Sequence, residues 1–353
     1  MSPSNPSSKR LYPLRMPPSW QPPYPSFMSE FDATQTDIVM AVIGCQFSSS
    51  EHALVLGLIN QLMGILEQSG QTAHVDLSEC ERDKTGHKQL VITAYWLDAS
   101  ATEDFFATDA FQSFWQINSA SNLNYGIYRE VFNVPMAYFE TLHSEPQHLV
   151  GIANARSGIS EPINTHAYWG SMRDRIPESA HDAFIPEGKV EIIEQDDNRI
   201  VIRPNKNLAV IRSGQDLSQT IGKEQDEYYN NIEPVLKAGM AFLRDQGEAV
   251  NCFDCRFMTF IDPSGKQLKH TYGFACFHSL EDLEKWAEHH PTHLAIFNAF
   301  LEFAPGYGPD MRSQFWHEVS VLPANSQYAE YINCAPGTGL TAGLAHMDES
   351  KST

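Results

Sequence analysis

Two histidines carry the first chemical signal in this chain. His293 closes the run His289-His290-Pro291-Thr292-His293, and His317 follows 24 residues later between Trp316 and Glu318. Imidazole is the commonest protein metal ligand, and its ordinary pKa lies nearest neutrality. Two such groups facing one centre would supply a ligand and an acid/base. On a helix, His293 shares its face with Ile296, Phe297, Phe300 and Leu301, so it emerges from an apolar surface. A histidine in that setting is more often a hydrogen-bonded core residue. Strand alternation sends His317 and Val319 to one face and Trp316 and Glu318 to the other. An imidazole turned inward beside aliphatics is costly unless it has a partner or a task. The spacing is not that of a zinc site, because no close ligand pair accompanies either residue. A single imidazole with apolar helix neighbours suits a flat, apolar ligand such as haem better. The residues alone do not decide between that and a core role.

Periodicity and turn residues outline the elements that would position them. A strand is expected over residues 37–47 and a helix over 50–67, with Leu54, Leu58, Leu62 and Leu66 on its apolar face. A strand over 89–97, a helix over 101–116, a strand over 126–132 and a short extended segment over 138–142 follow. In the second half, a strand over 207–211 ends at Arg212-Ser213-Gly214. A helix over 219–246 comes next, with Pro234 marking a break. Residues 252–261 and 267–277 read as a hairpin turned by Asp262-Pro263-Ser264-Gly265. Ser279 caps a helix that reaches about His289, with Asp282 three residues on as its capping partner. Pro291 restarts a turn that ends near Pro305-Gly306, and a strand over 314–322 follows. Each half reads approximately β-α-β…α-β, the pattern of a ferredoxin-like unit. The expected class is α+β, with two pseudo-duplicated ferredoxin-like units in a barrel-like body. Residues 1–35 form a Pro-rich extended arm, whose Trp20 and Tyr24 would pack onto the body or a partner subunit. The first half spans 36–144, a connecting segment of unassigned structure 145–205, the second half 206–340, and a flexible tail 341–353.

A chain of 353 residues suggests about two domain-sized units. Its 42% hydrophobic and 11% aromatic content argues against disorder over most of its length. The formal charge of −20 repels phosphate backbones and anionic lipid, so neither nucleic-acid nor membrane-surface binding is expected. No run approaches the roughly 20 apolar residues of a spanning helix. The Ser- and Pro-rich start lacks the apolar core of a signal peptide, so a soluble, cytoplasmic protein is expected. The six cysteines do not read as a disulfide framework. Cys252-x-x-Cys255 has no following histidine for covalent haem attachment and no second pair for zinc. Inert thiols on a buried strand are expected there.

Five segments narrow the reading. They are Phe139-Glu140-Thr141-Leu142, Tyr168-Trp169-Gly170-Ser171-Met172-Arg173-Asp174-Arg175, Ile211-Arg212-Ser213-Gly214-Gln215, Pro291-Thr292-His293-Leu294 and Trp316-His317-Glu318-Val319-Ser320. Their order and spacing, from about residue 37 to 340, resemble those of the haem-containing aldoxime dehydratases. Any one segment is weak; five in register are highly specific. The resemblance implies a dimeric α+β barrel fold, a homodimer, and non-covalent haem b active in its ferrous form. It also implies dehydration of R-CH=N-OH to a nitrile and water, with substrate nitrogen on the iron. Residue by residue, it makes His293 the proximal iron ligand and His317 the distal acid/base. It makes Ser213 the hydrogen-bond partner of the substrate hydroxyl, and Arg175 and Glu140 the distal pair that biases His317 in opposite senses.

Without the resemblance, Ser213 reads as a turn or cap residue, Arg175 as a surface ion-pair member and Glu140 as a solvated strand-edge acid. His166 is a candidate support for the pocket, and His290 a helix-surface residue near the Pro291 break. The rival readings are a haem peroxidase-like oxidoreductase and a non-catalytic haem carrier or sensor. Two departures stand out: the segment from His293 to His317 is a few residues longer than in some relatives, and Ala335 occupies a place where the family leads one to expect His.

Overall fold

The computed structural model describes residues 10–346. In chain order its strands are β1 (Ser29–Glu30), β2 (Asp37–Phe47), β3 (His74–Cys80), β4 (Lys88–Trp96), β5 (Tyr125–Pro135), β6 (Phe139–His143), β7 (Gly158–Ile159), β8 (Glu191–Gln195), β9 (Arg199–Arg203), β10 (Leu208–Asp216), β11 (Cys252–Ile261), β12 (Gln267–Phe277), β13 (Gln314–Leu322) and β14 (Gln327–Ile332). The α-helices are α1 (His52–Ser69), α2 (Ala99–Ala107), α3 (Asp109–Ile117), α4 (Ser171–Arg175), α5 (Gly222–Glu227), α6 (Glu233–Gln246), α7 (Leu280–His289), α8 (Pro291–Phe303) and α9 (Ala342–His346). Among the described residues, no helix is long and apolar enough to cross a membrane.

Twelve strands form one antiparallel sheet, in the order β6-β13-β10-β12-β11-β3-β4-β2-β5-β14-β9-β8. Two runs within it, β3-β4-β2-β5 and β11-β12-β10-β13, each place their strands second, third, first, fourth in chain order. Helices follow the first and third strand of each run, the arrangement of a βαββαβ unit. The α+β class is as expected.

The link Met136–Tyr138 shows how the sheet is shaped. It joins β5, ninth in the sheet, to β6, first in the sheet. Eight strand spacings of about 4.8 Å would separate them by about 38 Å in a flat sheet. The link reaches about 14 Å at most. The sheet therefore rolls round, enclosing an interior shared by both runs. Met40, Tyr95 and Tyr128 from one run meet Val210, Tyr272 and Trp316 from the other there. The opposite face of the first run carries α1, α2 and α3; that of the second carries α6 and α7.

Charge is buried in this interior. The Arg212 guanidinium lies 3.0 Å from Asp76 Oδ2 and 4.5 Å from the Tyr272 ring centre. Glu318 Oε2 accepts from the Tyr95 hydroxyl at 2.6 Å, and Oε1 accepts from the Ile152 amide at 2.8 Å. Arg256 pairs with Glu130 and Asp254, both at 2.6 Å. Such groups persist only when partnered, because removing one partner strands a charge in low dielectric.

Several local expectations change. The buried face of α1 is Val55, Ile59, Leu62 and Leu66, with Leu54 exposed. A strict four-residue spacing drifts off a 3.6-residue helix, so the expected face fails at its N-terminal end. The expected helix over 101–116 is two helices, broken at Thr108, whose hydroxyl caps the Phe111 amide. The helix over 219–246 is interrupted by a π-helical turn, Tyr228–Ile232, just before Pro234. The strand expected to end at Arg212-Ser213-Gly214 continues to Asp216. Gly214 is there for close packing, since a Cβ would sit 2.7 Å from the Trp316 ring. The flexible tail expected from 341 begins instead with α9, where Gly343 fits closely against Val190 and Phe253. Residues 347–353 of that tail lie outside the described residues.

Candidate active site

The site is built on the helix-facing side of β10 and β13. Ser213 and His317 are direct cross-strand partners, so their side chains project from the same face. Gly273 of β12 lies on the other side of Ser213. With no side chain at that rung, Met240 of α6 approaches the sheet closely. Ser213 is exposed, and its hydroxyl makes no hydrogen bond among the described residues. Glu140 of β6 pairs with Val319, two residues along from His317, and so shares that face.

Arg175 reaches this face from α4. Its Nε donates to Glu140 Oε2 at 2.7 Å and its Nη2 to Oε1 at 3.1 Å. Nη1 donates to the Thr165 carbonyl at 2.8 Å. The Arg175 and Glu140 side chains are 1% and 0% exposed, so this is a fully desolvated pair. The expected surface ion pair and solvated edge acid are both wrong in environment, because α4 and its flanks cover the edge strand. Both groups converge on one atom: His317 Nε2 lies 2.8 Å from Arg175 Nη2 and 2.9 Å from Glu140 Oε1. Guanidinium only donates and carboxylate only accepts. A proton on Nε2 therefore satisfies Glu140, and a lone pair on Nε2 satisfies Arg175. Burial alone would raise the Glu140 carboxyl, but Arg175 and then His317 outweigh it and hold it at about 2. It is ionised at any working pH.

His293 belongs to α8, which starts where the sequence places its restart. His290 caps it, with Nδ1 accepting from the Thr292 hydroxyl at 2.8 Å and the Thr292 amide at 3.4 Å. The His290 ring stacks on Phe242 at 4.2 Å, so it is a cap rather than a plain surface residue. The Trp286 ring lies edge-on to His293 at 4.7 Å. Trp169 lies 6.1 Å from His293 and 5.1 Å from Phe297. Among the described residues, no hydrogen bond or ring contact joins His293 directly to the other four. Aromatic contacts make the connection, through Trp169 to α4 and from Phe300 to Phe315 at 5.1 Å, two residues before His317.

The surroundings of His293 fit a haem iron. Burial pushes its pKa down to about 4, only partly offset by the Ala287 carbonyl, so the ring is neutral and offers a lone pair. Its Nδ1 is buried without a hydrogen-bond partner among the described residues. The rest of α8 presents Leu294, Ile296, Phe297, Phe300 and Leu301, of which none is fully buried. Among the described residues, no cluster of three or more His, Cys, Asp or Glu could hold a bare ion. A lone imidazole on an apolar helix suits a metal that brings its other ligands with it.

Some participants were not assigned to the site from sequence. Trp169 and Asp174 contact its framework from inside a quoted motif, and Tyr24, expected only to pack onto the body or a partner subunit, contacts it from the arm. His166 is fully buried, neither ring nitrogen has a hydrogen-bond partner among the described residues, and burial followed by the Arg175 charge lowers its pKa to about 4. The Cys252 and Cys255 thiols are buried and pushed up by burial, which makes them inert as expected.

Residues 41–340 match the family of haem-containing dehydratases, and the chain belongs to that family. It is 36% identical over 330 residues to an aliphatic aldoxime dehydratase of Rhodococcus globerulus, covering 92% of each chain. It is 29% identical to the phenylacetaldoxime dehydratase of Bacillus sp. strain OxB-1, covering 92% of this chain and 93% of that one. A crystal structure of an aldoxime dehydratase in complex with butyraldoxime superposes with a TM-score of 0.90 at 35% identity, covering 95% of this chain and 93% of the other.

Proposed function

We propose that this chain is a lyase that dehydrates aldoximes, R-CH=N-OH, to nitriles and water, with haem b held by His293. The observation that carries this reading is the rung shared by Ser213 and His317, backed by the buried Arg175–Glu140 pair. When bound, haem supplies a ferrous iron that can take the oxime nitrogen as a ligand. Hydroxide is a poor leaving group, so the chain must deliver a proton to the oxime oxygen. With Nε2 committed to Arg175 and Glu140, Nδ1 is the His317 atom left to carry that proton. As the N–O bond breaks, water leaves. Neutral His317 then takes the proton from the substrate C–H, and the nitrile is complete. Glu140 accepts from Nε2–H in both steps, which leaves Nδ1 to give the proton first and to take it second. Ser213 orients the hydroxyl beside that proton. A distal His–Arg pair alone would also suit peroxide cleavage; the free Ser213 hydroxyl in the same rung favours an oxime.

We further take the active form to be a cytoplasmic homodimer, each chain a pseudo-duplicated α+β barrel. Edge strand β8 supports a covered surface, since it turns Ile192 and Ile193 outward. Sedimentation showing only monomers would overturn the dimer.

The test is nitrile formation by the reduced, anaerobic holoenzyme given butyraldoxime or an arylacetaldoxime, followed by gas chromatography. The parent should form nitrile. His317→Ala should keep the Soret band and lose turnover by about 10²–10⁴-fold. His293→Ala should lose the Soret band itself. A parent that makes no nitrile would end this reading, and near-parental rates in His317→Ala would end the proton assignment.

A further inference from the structure

Residues 10–25 contain six prolines and cross the body outside the main sheet, without helix or strand and with one turn at Pro17–Trp20. Proline-rich chain holds such a path at low entropic cost, because φ is already fixed. The path leads over α4. Asp174 Oδ2 accepts from the Arg15 amide at 2.9 Å, the Met16 amide at 3.1 Å and the Tyr168 hydroxyl at 2.8 Å. The Arg15 side chain continues to Glu284 of α7 at 3.0 Å, and that carboxylate also holds Arg173 at 2.7 Å. Gly170 has a φ of 88°, and a Cβ on it would lie 2.5 Å from Arg15 Cδ. The crossing thus needs glycine both for its backbone conformation and for the close approach. Farther along, Trp20 Nε1 donates to the His166 carbonyl at 3.0 Å. The Tyr24 ring then lies 5.3 Å from His166 and 6.4 Å from Phe300 of the His293 helix.

A five-residue helix is too short to be stable by itself. The position of Arg175 is therefore set by what holds its neighbours, and Asp174 is where the arm grips. We propose that the arm is a working part of the site: through Asp174 it positions Arg175, and through Tyr24 it limits the size of the R group admitted beside Phe300. This rests on the aldoxime reading. Tyr24 keeps 39% of its surface exposed, so its ring remains available to touch a substrate as well as its two aromatic neighbours.

The experiment compares kcat/KM for an arylacetaldoxime with that for a short aliphatic aldoxime, in holoenzymes whose Soret bands confirm equal haem content. Tyr24→Ala should raise the aryl-to-alkyl ratio about tenfold. Tyr24→Phe, which keeps the ring, should keep the parental ratio. Calorimetric affinities for unreactive O-methyl ethers of the same aldoximes should shift in the same order, independently of turnover. Asp174→Asn should lower kcat by roughly 10- to 100-fold. Its KM should stay within about twofold, and its pH–rate profile should be displaced, because Arg175 is no longer fixed beside Nε2. A Tyr24→Ala ratio equal to the parent's, or an Asp174→Asn profile superposable on the parent's, overturns the proposal. If the parent itself made no nitrile, the aldoxime reading would have failed instead.

Discussion

Replacing Glu140 by Gln removes one charge from a group of three with almost no change in shape. The carboxyl is held at about 2 against an ordinary 4.5. That difference is worth about 3 kcal/mol of stability when the group is ionised. Because the folded-state value is depressed, the contribution is complete above about pH 4.5 and disappears as pH falls through about 2. Glu140→Gln also strands the Arg175 charge, with one amide oxygen left to accept from it. Urea unfolding of the two holoenzymes should therefore differ by about 3 kcal/mol at pH 7. The gap should narrow steadily as pH is lowered from 4.5 toward 2. A second reading comes from turnover: Glu140→Gln should lower kcat by roughly 10- to 100-fold, because the His317 ring loses the carboxylate that holds Nε2. A stability gap that stays constant across the acid window, or a kcat equal to the parent's, would refute the assignment of Glu140 as the partner that holds His317 Nε2.

Ser213→Ala should leave stability within about 0.5 kcal/mol, since the hydroxyl is exposed and makes no hydrogen bond among the described residues. It should nevertheless lower kcat/KM by roughly 10- to 100-fold, the cost of one lost hydrogen bond to substrate; parental kinetics would remove Ser213 from the site. Glu318→Gln acts on the opposite face of the same strand, where the carboxylate serves Tyr95, Ile152 and Arg212. It should cost about 3–5 kcal/mol in urea unfolding, and a change below about 1 kcal/mol would mean that the interior network is dispensable.

The parts legible in the sequence were those governed by local rules. Asp37–Phe47 and the hairpin around Asp262-Pro263-Ser264-Gly265 follow from strand periodicity and turn chemistry. The restart at Pro291 follows from capping. The strand β3 did not show itself. His-Val-Asp-Leu-Ser-Glu-Cys alternates only over Val75–Ser78, with Asp76 and Ser78 turned into a polar interior where they bond to Arg212 and Tyr272 from the other half of the chain. Gly214 disguised the middle of a strand as its end, since its reason for being glycine is a tryptophan over a hundred residues away. The proposed catalytic set rests on motif resemblance, not on local rules. Glu140 looks like a surface acid until α4 is laid over it. Arg175 gains its meaning only from two partners brought in by long-range strand pairing. The arm's part in the site left no mark beyond its prolines and two aromatic residues.

The three-residue link between β5 and β6 has a consequence for how the enzyme comes into being. By sequence, Glu140 belongs with the first half of the chain; by pairing, its strand belongs with the last. During synthesis, Glu140 and Arg175 leave the ribosome well before β13 exists. Closing a contact across that stretch comes late, because loop entropy must be met before long-range pairing rewards it. Until His317 emerges, β6 has no neighbouring strand of the large sheet to pair with, and its acid waits at an open edge. The proposed proton-moving group is therefore among the last things the nascent chain assembles. A product truncated before residue 317 would hold a complete first βαββαβ unit and the His293 helix, yet have no means of turning over substrate.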